Sequence, residues 1–151
     1  MVNLKSAAAA VATVALLATA FAPIAITWST TASAHGDVTP QPIDTEGLEP
    51  LGEEWRTENP YRGNPKAIEI GASGYNQNCA RCHGLEVVSG GLSPDLRYLE
   101  KGSAGDSWFM ERLRHGKRNS DGATIMPAFE GLISQEAMWA IRSYVESMHI
   151  D

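Results

Sequence analysis

Cysteine is scarce in this chain: 151 residues carry two, Cys79 and Cys82. A structural zinc site would need further Cys or a spaced His cluster, yet His35, His115 and His149 are scattered. Positive charge is also short, with 12 Lys and Arg against 18 Asp and Glu and a formal net charge of −6, which excludes nucleic acid as a partner. Alternating strand patterns and internal repeats are missing, and with them the strand-helix-strand context of a thioredoxin-like thiol pair. A sufficient apolar core is missing too. Three short helical stretches separated by loops rich in Gly, Pro, Ser and Asp cannot fill the middle of residues 64–151, so a large apolar group is expected there.

The start of the chain, "MVNLKSAAAAVATVALLATAFAPIAITWSTTASAHG", has one early charge, Lys5, an apolar run from Ala7 to Ile26, and the small-x-small pattern Ala32-Ser33-Ala34. Residues 1–34 are read as a signal peptide cut after Ala34. The competing reading is a retained anchor, since about twenty residues at 1.5 Å rise just cross a hydrocarbon layer of about 30 Å. Cleavage would remove Lys5 and take the formal charge from −6 to −7. His35 would then be the N-terminus, where it could chelate stray copper, although a mobile terminus explains it as well.

Residues 35–63 are read as an extended acidic arm, with prolines, glycines and no sustained period. Trp55 and Tyr61 are its expected anchors on the surface of the domain at 64–151. Asn64-Pro65 should open a helix to about Asn78, with Ile68, Gly71, Ala72, Tyr75 and Cys79 on one face. Gly71 and Gly74 cost that helix roughly 1 kcal/mol each, which a second helix crossing closely would explain. Ser134 caps the candidate partner, which runs to about Met148 through Ala137, Met138, Ile141, Tyr144 and Val145. A third helix is expected from Asp106 or Ser107 to His115, stopped by Gly116. The fold class expected is all-α.

"NQNCARCHGLE", residues 76–86, contains Cys-x-x-Cys-His. This is the c-type haem attachment pattern: two thiols one turn apart form thioethers with the vinyl carbons, and the next imidazole meets the iron. The porphyrin would supply the missing core, and an exported chain suits covalent attachment outside the bacterial cytoplasm. Cys79 and Cys82 are therefore the candidate haem-binding residues and His83 the first axial ligand. For the second, Met126 stands before Pro127 in a loop where an extended chain can lay a thioether on a ring face. Met110, Met138 and Met148 sit in helical patterns that suit a core, and His115 closes a helix but remains the main alternative. Pro94 offers a carbonyl to the other nitrogen of His83, or forms a plain turn.

These residues resemble the class I cytochrome c family. Cys79, Cys82 and His83 match its haem motif, Met126-Pro127 its distal loop, and Gly71, Tyr75, Ile141 and Tyr144 its helix contacts. The resemblance implies crossed N- and C-terminal helices around one covalently bound haem c, and a one-electron shuttle rather than an enzyme. More narrowly, "GLEPLGEEWRTENPYRGN", "AIEIGASGYNQNCARCHGLE" and "SQEAMWAIRSYVES" resemble the small periplasmic cytochromes that serve quinoprotein (PQQ-dependent) alcohol dehydrogenases. That implies such a dehydrogenase as electron donor, a terminal oxidase or another cytochrome as acceptor, a periplasmic location, and no stable membrane insertion after signal cleavage.

A haem enzyme or ligand sensor with an open distal site is the rival, and a thiol oxidoreductase a third reading. Arg112, Arg114, Lys117 and Arg118 are either a solvated helix face or a rim for an acidic partner. Trp139 lies off the face of Ile141 and Tyr144, so it is either half exposed or covered by the arm through Trp55 or Tyr61.

Overall fold

The computed structural model describes residues 40–151. The expected signal peptide, its cleavage site and His35 lie outside the described residues, and so does any anchor there. Among the described residues no helix is long and apolar enough to cross a membrane.

Helix α1 spans Pro65–Asn78, and the Asn64 side chain accepts from the Lys66 and Ala67 amides at 2.9 and 3.3 Å, satisfying two of its orphan donors. At the far end of the chain, α4 spans Gln135–Ser147, with the Ser134 hydroxyl accepting from the Ala137 amide at 3.2 Å. The two helices pack with backbone against backbone. A Cβ on Gly71 would stand 1.9 Å from the Ala140 carbonyl oxygen, so only glycine permits this approach. On the neighbouring flank, a Cβ on Gly74 would meet Ile43 and Ile141. The buried face of α1 is therefore broader than helical spacing suggested: Ala67, Ile70, Gly71, Gly74 and Tyr75 are buried, whereas Ile68 and Ala72 are only half-buried.

Helix α4 is buried nearly all round. Its expected apolar positions Ala137, Met138, Ile141 and Val145 are inside, but so are Gln135, Trp139, Arg142 and Ser143. Gln135, Trp139, Arg142 and Glu146 recur at helical spacing and form a second stripe, which the arm meets at Gln135 and, through Arg62, at Glu146. The Gln135 amide donates to the Gly52 and Glu54 carbonyls at 3.4 and 3.2 Å and accepts from the Arg56 amide at 2.7 Å. Glu136 accepts from the Leu51 amide at 2.8 Å, and Asn59 donates to the Ser143 hydroxyl at 2.9 Å. Leu51 and Tyr61 are buried and Trp139 is fully so, which overturns the half-exposed reading of that tryptophan.

Helix α3 runs Gly102–His115, four residues longer at its start than the expectation of Asp106. Lys101 provides no side-chain cap; instead the Gly102 amide donates to Glu146 at 3.1 Å. Asp106 is not a cap but a fully buried carboxylate, joined to the equally buried Arg142 at 2.8 Å, to the Asn59 amide at 2.9 Å and to Arg62. A short helix α2, Ala80–His83, and two single 3₁₀ turns at Leu85–Val87 and Leu96–Tyr98 complete the helical elements.

The all-α expectation needs one correction: strands β1 (Lys117–Arg118) and β2 (Thr124–Met126) form an antiparallel hairpin. Strands this short show no legible alternation. Asn119 organises their connection, its carboxamide oxygen accepting from the Asp121 and Ala123 amides at 3.1 and 2.8 Å.

Candidate functional site

Helix α1 stops at Cys79, whose amide still donates to the Tyr75 carbonyl at 2.8 Å, and the chain turns once more as α2. The Cys79 carbonyl accepts from the Cys82 and His83 amides at 3.1 and 3.0 Å. Both thiols and the imidazole thus sit on one hydrogen-bonded turn, and neither cysteine is in a disulfide. The Tyr75 hydroxyl donates to the Gly84 carbonyl at 2.9 Å, tying the far side of the turn back to α1. Tyr75 also packs on Tyr144 of α4, ring centroids 5.4 Å apart.

His83 Nδ1 lies 2.9 Å from the Pro94 carbonyl oxygen. A carbonyl can only accept, so that nitrogen carries the proton and Nε2 keeps its lone pair for a Lewis acid. The turn holding Pro94 is itself braced: Asp95 accepts from the Arg97 amide and guanidinium at 3.0 and 2.7 Å, and from the Ser89 amide at 3.4 Å. The bond from Arg97 holds the Asp95 carboxyl down at about 2. Between the turn and Pro94, Glu86 and Val87 adopt left-handed φ of 54° and 64°. That geometry costs a β-branched residue roughly 1–3 kcal/mol, and full burial of the Val87 side chain holds it there.

Met126 ends β2, half-buried and packed against the same hydrophobic cluster as Cys79. Among the other candidates, Met110 and Met138 are buried helix residues of that cluster, and Met148 packs on it at the C-cap of α4. His115 lies at the surface between two carboxylates, Nδ1 3.1 Å from Glu111 and Nε2 3.5 Å from Glu130.

Burial, and after it the neighbouring Cys82, pushes the Cys79 thiol up to about 12. That direction is opposite to the one shown by the attacking thiol of a redox pair. Among the described residues no three His, Cys, Asp or Glu side chains converge as a metal cage. The donor set does suit thioether anchorage of a haem: two thiols on one hydrogen-bonded turn beside an imidazole with one nitrogen committed to a carbonyl.

Part of the basic stretch is engaged within the molecule. Arg114 pairs with Glu130 at 2.7 Å and lies 4.1 Å over the Trp55 ring, and Arg118 donates to the Gly122 carbonyl at 2.8 Å. Sequence reasoning missed the buried Asp106–Arg142 pair. Its one signal was the polar stripe of α4, visible only once the arm is known to meet it.

The family described as "Cytochrome C oxidase, cbb3-type, subunit III" matches residues 66–145. The chain is 62% identical over 127 residues to cytochrome c550 of Pseudomonas aeruginosa, spanning 82% of this chain and 87% of that one. It is 33% identical over 92 residues to the quinohemoprotein alcohol dehydrogenase ADH IIB of Pseudomonas putida, which covers 61% of this chain but only 13% of the dehydrogenase. The solved structure of a second such dehydrogenase, ADHIIG of Pseudomonas putida, superposes with a TM-score of 0.47 at 33% identity, over 67% of this chain and 14% of that chain.

Proposed function

The chain belongs to the cytochrome c family and carries covalently bound haem c, and from that premise we propose that it is a single-haem periplasmic electron carrier of class I type. In this reading Cys79 and Cys82 hold the haem, His83 and Met126 ligate its iron, and α1 and α4 cross beside it. The observation that carries the reading is the Cys79–His83 turn with His83 Nδ1 bonded to Pro94, an imidazole already oriented to offer Nε2.

The donor proposed is a quinoprotein alcohol dehydrogenase, supported by the likeness to ADH IIB, and the acceptor is a terminal oxidase or another cytochrome. The haem supplies one-electron chemistry between ferrous and ferric iron, at a potential that Met/His ligation raises. The chain's own part is to fix the ligands and limit rearrangement. Pro94 holds the imidazole proton on Nδ1, and Asp95, accepting from Arg97 and Ser89, braces the turn that carries Pro94. After α2 the chain exposes Leu85, Val88 and Leu92, an apolar rim on which a donor could dock beside the thioethers.

The reading is tested by mixing reduced quinoprotein alcohol dehydrogenase with the ferric holoprotein in a stopped-flow instrument. Rapid haem reduction is expected, and none would remove that donor. Separately, the ferric spectrum should show a Met-to-iron charge-transfer band that Met126→Ala abolishes. Ready binding of carbon monoxide by the reduced wild type would favour an open distal site instead.

A further inference from the structure

The segment following the proposed distal ligand is clamped against the end of α3. A Cβ on Gly116 would stand 2.5 Å from the Met126 carbonyl oxygen and 2.8 Å from the Ala128 nitrogen, so the backbone on either side of Pro127 rests directly on the helix terminus. One step on, the Phe129 amide donates to the Leu113 carbonyl at 2.9 Å and the Glu130 amide to the Arg114 carbonyl at 3.4 Å. The Arg114 guanidinium then donates to the Glu130 carboxylate at 2.7 Å, closing the clamp through a side chain, and draws that carboxyl below its usual range.

Arg114 has a second partner. Its guanidinium carbon lies 4.1 Å over the ring of Trp55, an arm residue. Its Nε is buried with no hydrogen-bond acceptor, which leaves the indole face and Glu130 as the groups that hold the cation. The arm itself is pinned to α4 on either side of Trp55, by Leu51 to Glu136 and by Arg56 to Gln135.

We propose that Arg114 is a positioning residue that couples the arm to the Met126 segment, so that Trp55, by holding the guanidinium in place, resists displacement of the Met126 thioether from iron. This rests on Met126 being an axial ligand. Glu130 fixes one end of the guanidinium fork and the indole fixes its plane. Without the indole the fork can swing, and residues 126–130 lose the stronger of two side-chain ties to α3, keeping the contact of His115 with Glu130 at 3.5 Å.

The test is the equilibrium affinity of the ferric holoprotein for imidazole, which binds iron only by displacing Met126. Arg114→Ala and Trp55→Ala should bind imidazole roughly tenfold more tightly than the wild type, the factor for about 1.4 kcal/mol. Trp55→Phe keeps an aromatic face on the cation and should stay close to wild type. Asn59→Ala serves as the control, because it removes the side-chain bonds of Asn59 to the Ser143 hydroxyl and from the Tyr61 amide and so loosens the arm away from Arg114. Unchanged affinity in both Ala variants would overturn the coupling while leaving the ligand assignment standing. So would an equal rise in Asn59→Ala, which would reduce the effect to general loosening. A wild type with no Met-to-iron band overturns both together.

Discussion

Residues 41–62 and 84–99 have nearly the same chemical character, Gly- and Pro-punctuated and without helical or alternating period, and the protein treats them in opposite ways. The first is ordered by partners elsewhere in the chain: Leu51, Asn59 and Tyr61 are buried, and its amides and carbonyls are met by Gln135, Glu136 and Asp106. The second is ordered mostly by itself, through Asp95, Arg97, Ser89 and Ser93, and it leaves Leu85 and Leu92 at 72% and 82% exposure. Irregular backbone is equally stable either way once its polar groups are met. What differs is where most of the apolar side chains go: the arm turns Leu51 and Tyr61 inward, whereas the loop buries Val87 and Leu96 but leaves Leu85, Val88, Leu92 and Tyr98 outside.

That contrast can be broken most forcefully at Asp106, which serves the arm through Asn59 and Arg62 and the core through Arg142. Asp106→Ala leaves a fully buried guanidinium unpaired and should cost about 3–5 kcal/mol in guanidinium chloride unfolding. A loss below 1 kcal/mol would mean the arm is not integral. Gln135→Ala is smaller: it strands the Arg56 amide and the Gly52 and Glu54 carbonyls, for about 1–3 kcal/mol by the same measurement.

In the loop, acid is the sharper probe. Asp95 is lowered from its ordinary 3.8 to about 2, chiefly by the hydrogen bond from Arg97. A depressed folded-state pKa contributes stability above the unfolded value that disappears as pH falls through the folded one. Wild-type stability should therefore fall more steeply than that of Asp95→Asn between about pH 4 and pH 2, followed by circular dichroism, and parallel curves would sever Asp95 from the loop's order. Smallest of all, Leu92→Ser should change the unfolding free energy by less than about 0.5 kcal/mol. The same variant should slow reduction by the donor if the exposed rim is where the donor docks.

Helix starts, the haem motif and the close approach at Gly71 were legible because each depends on a few adjacent residues. Asn64-Pro65 and Ser134 state their caps outright, and two costly glycines in one helix announce a neighbour. The hairpin at 117–126, the early start of α3 and the burial of Arg142 were not legible, because each is decided across the chain. Gly102 is capped by Glu146 and Arg142 is paired with Asp106, and Arg62 of an arm whose composition alone resembles disorder binds both carboxylates. Of the site, the Cys79–His83 turn could be read directly. The bracing of the Met126 segment through Arg114 and Trp55 could not, since three separate segments meet there.

The backbone contact between Gly71 and Ala140 also bears on how the chain folds. Its partners lie on the first and last long helices, so the core cannot close until nearly the whole domain has been made and a loop of almost seventy residues has been gathered. The last helix is thus the latch that closes the first, and the Cys79–Cys82 turn at the trailing end of α1 is synthesised well before it.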